Sequence, residues 1–308
     1  MISGAERLHS GDLSKVAGEV SLFWRYIVAE QCGMDSRPTP GDLERAEQDR
    51  MITDSLARIK RKILVMSGKG GVGKSTVAAY LALLLGRGGS RVGLMDVDLH
   101  GPSIPHLLNI KGGLDMREEE KVVRPFAFSE ELGVVSLEML LGDRDAAVIW
   151  RGPLKISAIR QFISDIEWGA LDFLIVDSPP GTGDEPLTVA QTIPDAEALI
   201  VTTPQEISLA DVRKSINFCK QVNMKMLGLV ENMSGFVCPH CGDTIDLFGS
   251  GGGEKTAREM GIPFLGAIPA EAKMVELGDQ GRLDLLMEQS DLEINRAYEH
   301  VVKKILNG

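Results

Sequence analysis

Residues Gly68-Lys69-Gly70-Gly71-Val72-Gly73-Lys74-Ser75-Thr76 stand between an apolar run, Ile63-Leu64-Val65-Met66, and a segment whose apolar residues Val77, Tyr80, Leu81, Leu84 and Leu85 recur at helical spacing. A glycine-rich turn from a buried strand into a helix lets the backbone approach a polyphosphate. Its N–H groups turn inward and the positive end of the helix points at the anion. The full pattern Gly-x-x-x-x-Gly-Lys-Ser in this strand-turn-helix context predicts a nucleotide site in which Lys74 meets the β and γ phosphates and Ser75 holds magnesium. Gly68, Lys69, Gly70, Gly71, Val72, Gly73, Lys74, Ser75 and Thr76 are all taken as nucleotide-binding.

The 308 residues, 44% of them hydrophobic, suffice for one α/β domain of about 250 residues with a short appendage. No apolar run approaches the ~18 residues of a membrane span, and Met1 to Gly11 lacks the pattern of a signal peptide, so a cytoplasmic location without a membrane partner is expected. A net charge of -11 argues against a sequence-independent nucleic-acid surface. Acidic runs such as Glu118-Glu119-Glu120 read as solvated loop. Of the four cysteines, Cys32, Cys219, Cys238 and Cys241, only the last two lie close enough in sequence to act together.

Leu13, Val16, Ala17, Val20, Trp24, Ile27 and Val28 share one helical face, with Asp12 as a candidate N-cap and Gly33 as a stop. Arg37-Pro38-Thr39-Pro40-Gly41 breaks this pattern, and a charged, weakly periodic stretch from Asp42 to Lys62 leads into the first strand. Residues 1–59 are therefore read as a helical extension and linker, and 60–308 as the main domain. From Ile63 onward, apolar strands alternate with helical patterns: Val92 to Met95, Val134 to Leu137, Phe173 to Val176, Ala198 to Val201, Met226 to Val230 and Phe264 to Ile268. That alternation predicts an α/β fold with a mostly parallel sheet covered by helices on both faces. Ligands of such sheets lie beyond the carboxyl ends of the strands.

Three further stretches carry chemistry. Asp96-Val97-Asp98-Leu99-His100-Gly101-Pro102-Ser103 follows the second strand, so its carboxylates emerge on the edge of the phosphate loop. Asp98 is the better placed to orient an attacking water, and Asp96 reads as a supporting or magnesium-side group. The alternative is that both cap a helix near Pro102. Leu174-Ile175-Val176-Asp177-Ser178-Pro179-Pro180-Gly181-Thr182-Gly183-Asp184 delivers Asp177 from a buried strand toward magnesium, and Gly181 can offer a backbone N–H to the γ phosphate. Cys238-Pro239-His240-Cys241-Gly242 presents two thiols on a turn. Zinc or an iron-sulfur cluster takes about four protein ligands, and no second pair exists, so two subunits related by a two-fold axis would complete a four-thiolate site. Zinc in the same geometry, a redox dithiol and a structural knuckle using His240 remain open on spacing alone.

Together with Trp150-Arg151-Gly152-Pro153, Glu231-Asn232-Met233-Ser234 and Phe248-Gly249-Ser250-Gly251-Gly252-Gly253, these stretches resemble the Mrp/ApbC family of iron-sulfur cluster carrier ATPases from about Lys60 to Gly308. The resemblance implies a homodimeric ATPase that uses ATP and Mg2+. It also implies a labile cluster of the 4Fe-4S type held between paired Cys238 and Cys241 and passed to apo iron-sulfur proteins. It gives Lys69, the extra lysine of the deviant loop, a role across the dimer at the partner's nucleotide. The catalytic set is then Lys69, Lys74, Asp98 and Asp177, and Asn232 reads adenine. Many bacterial relatives carry a separate small N-terminal domain, and some eukaryotic ones a four-cysteine motif there. Here only Cys32 appears, so no second cluster is expected, and Cys32 and Cys219 read as ordinary small apolar residues.

Two rivals share the loop. A partitioning or division-site ATPase would use Ile294, Ala297, Tyr298, Val301, Val302 and Ile305, followed by basic residues, as a surface-binding tail, but a closing helix packed on the sheet explains that spacing and nothing there requires Cys238 or Cys241. An ATP-driven electron donor would carry its cluster cysteines far apart in sequence, unlike this tight pair.

Overall fold

The computed structural model describes residues 40–98, 101–111, 114–117, 122–140, 152–238, 241 and 243–308. Contacts divide the chain into a first unit, Met1–Glu47, and a second, Gln48–Gly308. The helix expected around Trp24, Cys32, the Glu118 run, and Trp150 with Arg151 lie outside the described residues.

Helix α1 (Pro40–Leu56) occupies much of the stretch read as weakly periodic, and strand β1 (Ile59–Ser67) starts earlier than its apolar core suggested. The weak signal has a physical reason: Ile52 and Leu56 are buried, whereas Leu43 and Met51 are exposed. Then follow α2 (Lys74–Arg87), β2 (Val92–Asp96), the single turn α3 (Ile104–Leu107), β3 (Asp115–Arg117), β4 (Val122–Arg124), β5 (Phe126–Ala127) and β6 (Leu132–Ser136). The second half comprises α4 (Gly152–Asp165), β7 (Leu171–Asp177), α5 (Asp184–Thr192), β8 (Glu197–Thr202), α6 (Glu206–Gln221), β9 (Lys225–Val237) and β10 (Thr244–Ile245), then α7 (Gly252–Met260), β11 (Phe264–Ala270), α8 (Ala272–Asp279) and α9 (Glu293–Asn307).

The main sheet runs β10-β9-β8-β1-β7-β2-β6-β5, with β11 also on β9. Its central pairings are parallel, and β10 and β5 are antiparallel additions. Successive β1 side chains face opposite layers: Ile63 and Val65 join a core with α2 and α9, while Leu64 and Met66 join a second core with α6. Burial on both faces is why these strands read as continuous apolar runs. The closing helix α9 buries Ile294, Tyr298, Val301 and Ile305, so the face offered to the surface-tail rival is a packed face. Among the described residues, no helix is long and apolar enough to cross a membrane.

Strand register assembles the site. Val65 near the end of β1 lies beside Asp177 at the end of β7, and Asp96 at the end of β2 lies on the other side of Asp177. Three strand ends therefore bring the glycine loop and all the candidate carboxylates to one edge.

Candidate functional site

The loop leaves β1 at Ser67, whose hydroxyl donates to the Lys69 carbonyl at 2.9 Å, and α2 opens with Val77 N–H on the Gly73 carbonyl at 2.9 Å. Its glycines have different duties. A Cβ at Gly68 would lie 2.5 Å from the Asp211 backbone of α6, and one at Gly73 (φ +80°) would overlap Asn232 Nδ2. Gly70 and Gly71 face open space, on the concave side where a polyphosphate fits. Gly73→Ala combines the overlap with a left-handed backbone that costs about 1–2 kcal/mol. It is expected to lower the melting temperature by roughly 4 °C or more, whereas Gly71→Ala, strained but with free space, should cost less; thermal unfolding of both variants checks this.

A cavity of about 380 Å³ over the loop is lined by Gly70, Gly71, Lys74, Ser75, Asp98 and Pro180. A second, of about 310 Å³, shares Gly73 and Thr76 with it and continues to Asn232, Met233, Phe248 and Pro269. One ligand with a polar and an apolar end can span both.

Lys74 is buried, with Nζ 2.6 Å from Asp177 Oδ1, 3.5 Å from Asp98 Oδ2 and 3.4 Å from Ser75 Oγ. Asp177 is fully buried, and its Oδ2 has no hydrogen-bond partner among the described residues. Burial raises its carboxyl pKa, opposed by the Lys74 ammonium and the Ser75 hydroxyl. Asp96 is equally buried and is a hub. It accepts the N–H of Asp98 at 3.1 Å and of Ser103 at 3.2 Å, and the Ser136 hydroxyl at 3.3 Å. It also accepts the Ile104 N–H at 3.4 Å, so it both holds the turn that carries Asp98 and meets the start of α3, as the capping alternative had it for this residue.

Burial and the charge of Asp177 push the Asp96 carboxyl up to about 8. A raised acid binds more protons folded than unfolded, so its contribution to stability is greatest below the unfolded value near 4 and is lost as pH rises toward 8. Nucleotide-free protein is therefore expected to melt lower at pH 8 than at pH 6, and Asp96→Asn should flatten that dependence in a pH series of unfolding curves.

Lys69 is half-buried, and its ammonium makes no ion pair among the described residues. Val72 is buried, and its carbonyl accepts Asn232 Nδ2 at 2.9 Å, so Asn232 lies against the loop as well as on the second cavity. The Gly181 N–H donates to the Ser67 carbonyl at 2.8 Å, with Gly181 at φ +91°. In this conformation that N–H is engaged within the protein, and contact with a phosphate requires the exchange of this bond.

The two thiols stand at the far end of β9. Val237 and Phe236 pair with Thr244 and Ile245 of β10, and Cys238 N–H closes the hairpin on the Asp243 carbonyl at 2.9 Å. Cys238 is half-buried, and Cys241 is exposed with Sγ 3.3 Å from Asp243 Oδ2. Pro239, His240 and Gly242 lie outside the described residues. Among the described residues, no group of three or more His, Cys, Asp or Glu gathers to hold a metal. Cys219 is buried against Met66 Sδ, and burial pushes its thiol up to about 11, as befits an inert core residue.

Sequence reasoning gave no role to Glu231, Phe248 or Asp211. A carboxylate directly after the apolar run Leu227–Val230, within the same strand, is an available signal for Glu231. Nothing local marks Asp211, which meets Gly68 only through the fold.

Residues 58–306 match the family model for ParA, described as NUBPL iron-transfer P-loop NTPase. The chain is 47% identical over 262 residues to the iron-sulfur cluster carrier protein of Methanocaldococcus jannaschii, covering 85% of this chain and 89% of that protein. It is 44% identical over 263 residues to the cytosolic Fe-S cluster assembly factor CFD1 of Saccharomyces cerevisiae, covering 82% and 89%. The nucleotide-binding protein of Archaeoglobus fulgidus in complex with ADP, in which cobalt was found, superposes with a TM-score of 0.68 at 41% identity, over 77% of this chain and 92% of that one. The cell division ATPase MinD of Pyrococcus furiosus, at 23% identity and a TM-score of 0.59 over 80% and 99%, shares the fold. The glycine loop, the carboxylates at its edge and these likenesses lead to one conclusion: the chain belongs to the iron-transfer P-loop NTPases of the ParA/NUBPL family.

Proposed function

We propose that this chain is an ATPase that receives an iron-sulfur cluster between two copies of itself and passes it to apo-proteins. The observation that carries this reading is the joining of the nucleotide cavity and the thiol hairpin by one strand, β9. The phosphate loop and its carboxylates come together within one chain, while among the described residues no group of three or more metal-ligating side chains gathers at the two thiols. A 4Fe-4S cluster takes four thiolates, so Cys238 and Cys241 of each subunit complete its shell.

For ATP, Gly70, Gly71 and Lys74 form the phosphate end and the cavity walled by Met233, Phe248 and Pro269 the base end. Asn232, held through Nδ2 on Val72, keeps its Oδ1 for the amino group of adenine. The donor set fits Mg2+, because Asp177 presents a buried oxygen without a partner beside the Ser75 hydroxyl. Bound there, Mg2+ supplies charge neutralisation on the phosphates. Lys74 exchanges Asp177 for phosphate oxygens, Asp98 orients the attacking water, and Lys69 reaches across the dimer. Acceptors are apo iron-sulfur proteins in the cytosol, and no nucleic-acid or membrane partner is required.

The test is anaerobic reconstitution with iron and sulfide, followed by transfer to an apo-acceptor with and without Mg-ATP. A brown, dimeric product whose transfer rate depends on nucleotide is expected. A cluster-free monomer, or transfer indifferent to ATP, refutes the reading.

A further inference from the structure

Strand β9 carries consecutive residues that serve different ends of the molecule. Glu231 is fully buried, and its carboxylate accepts Gly251 N–H at 2.9 Å, the N–H of Gly253, and the Ser234 hydroxyl at 2.5 Å. Asn232 grips the phosphate loop. Met233 stands at φ +57°, an uncommon backbone for a residue with a side chain, and Gly235 follows at φ +77°. The strand therefore bends twice within three residues, directly beside the second cavity, before Phe236 and Val237 enter the cysteine hairpin.

The chain returns from that hairpin through residues 246–251, and Phe248 on this return forms part of the cavity wall together with Asn232 and Met233. The return is held at both ends, more closely packed at the α7 end. Gly251 and Gly253 are fixed on Glu231, and a Cβ at Gly252 would lie 2.6 Å from Leu209 and 2.8 Å from the Pro204 carbonyl. Toward the hairpin, Ile245 and Leu247 are exposed, and the segment is held to β9 by the two residue pairs of β10 and by the Cys238 N–H on the Asp243 carbonyl. Phe248 itself is 41% exposed. A displacement of its ring meets packed backbone on the α7 side and a lightly held hairpin on the other.

We infer that Phe248 is a positioning residue through which a base entering the apolar cavity acts, within one subunit, on the hairpin that bears Cys238 and Cys241. This rests on the proposed reading that nucleotide and cluster occupy these two places. It adds that the base end of the nucleotide, rather than the phosphate end, communicates with the thiols. Coupling between sites is reciprocal and is read as a change in affinity.

The experiment measures Co2+ affinity of the full chain from the sulfur-to-cobalt absorption band, with no nucleotide, with saturating Mg-ADP and with saturating Mg-tripolyphosphate. In wild type, Mg-ADP is expected to shift the affinity by about 5-fold or more, and tripolyphosphate, which has no base, by less than about twofold. Phe248→Ala removes part of the pocket wall and is expected to weaken ADP binding, so its ADP affinity is measured first and ADP raised to saturation; there it should lose the shift, and Phe248→Tyr, which keeps the ring, should retain it. A full shift in Phe248→Ala, no shift in wild type, or an equal shift with tripolyphosphate overturns the inference and leaves the two sites standing. Absence of the cobalt band in wild type removes the metal-site reading itself, and this inference with it.

Discussion

Asp98→Asn is expected to slow ATP hydrolysis by about 10²- to 10⁴-fold, the usual contribution of a positioned base, while Mg-ADP still binds. The carboxylate is well placed for that role. It is nearly buried, lines the cavity over the glycine loop, and stands 3.5 Å from the Lys74 ammonium. Its backbone is fixed by Asp96, so asparagine should occupy the same position without the charge needed to draw a proton from water. Asp177→Asn should behave differently, weakening Mg2+ dependence and nucleotide binding as well as turnover, because Asp177 is the closest partner of Lys74. Single-turnover rates beside equilibrium ADP binding separate the two variants. Unchanged turnover in Asp98→Asn would assign the carboxylate to loop structure alone.

The other large effect is expected at the hairpin. Cys238→Ser and Cys241→Ser should each abolish stable cluster binding after reconstitution, dropping iron and sulfide to background, because a two-fold site loses two of four thiolates at once. Nucleotide binding should persist, since neither Cys238 nor Cys241 lines either cavity. Metal analysis of reconstituted protein beside ADP titrations reads both quantities. A variant that kept its full iron content would place the ligands elsewhere.

Much of this architecture is legible in the chain because buried parallel strands are apolar on both faces. Ile63 to Met66, Phe173 to Val176 and Ala198 to Val201 announce themselves, and the motifs sit at their ends. Helix α1 escapes notice because few of its residues face a core. The hub at Asp96 is legible in part, as a carboxylate that could cap a helix near Pro102, but its contact with Ser136 is made only by the pairing of β2 with β6. Glu231 is visible as an oddity in an apolar strand, but its partners lie about 20 residues onward, in a turn whose glycines look like flexibility and are instead places where Leu209, Pro204 and Glu231 come too close for a side chain. Phe248 has no local signature, because its importance depends on where the return from the hairpin passes.

The Gly181 N–H resting on the Ser67 carbonyl has a consequence for the idle protein. With that bond made, the end of β1 holds the proline-bearing loop at Gly181 in the empty cradle. On the proposed function, a triphosphate has to displace that internal partner before Gly181 can meet its terminal phosphate, and the same partner stands ready once that phosphate is gone.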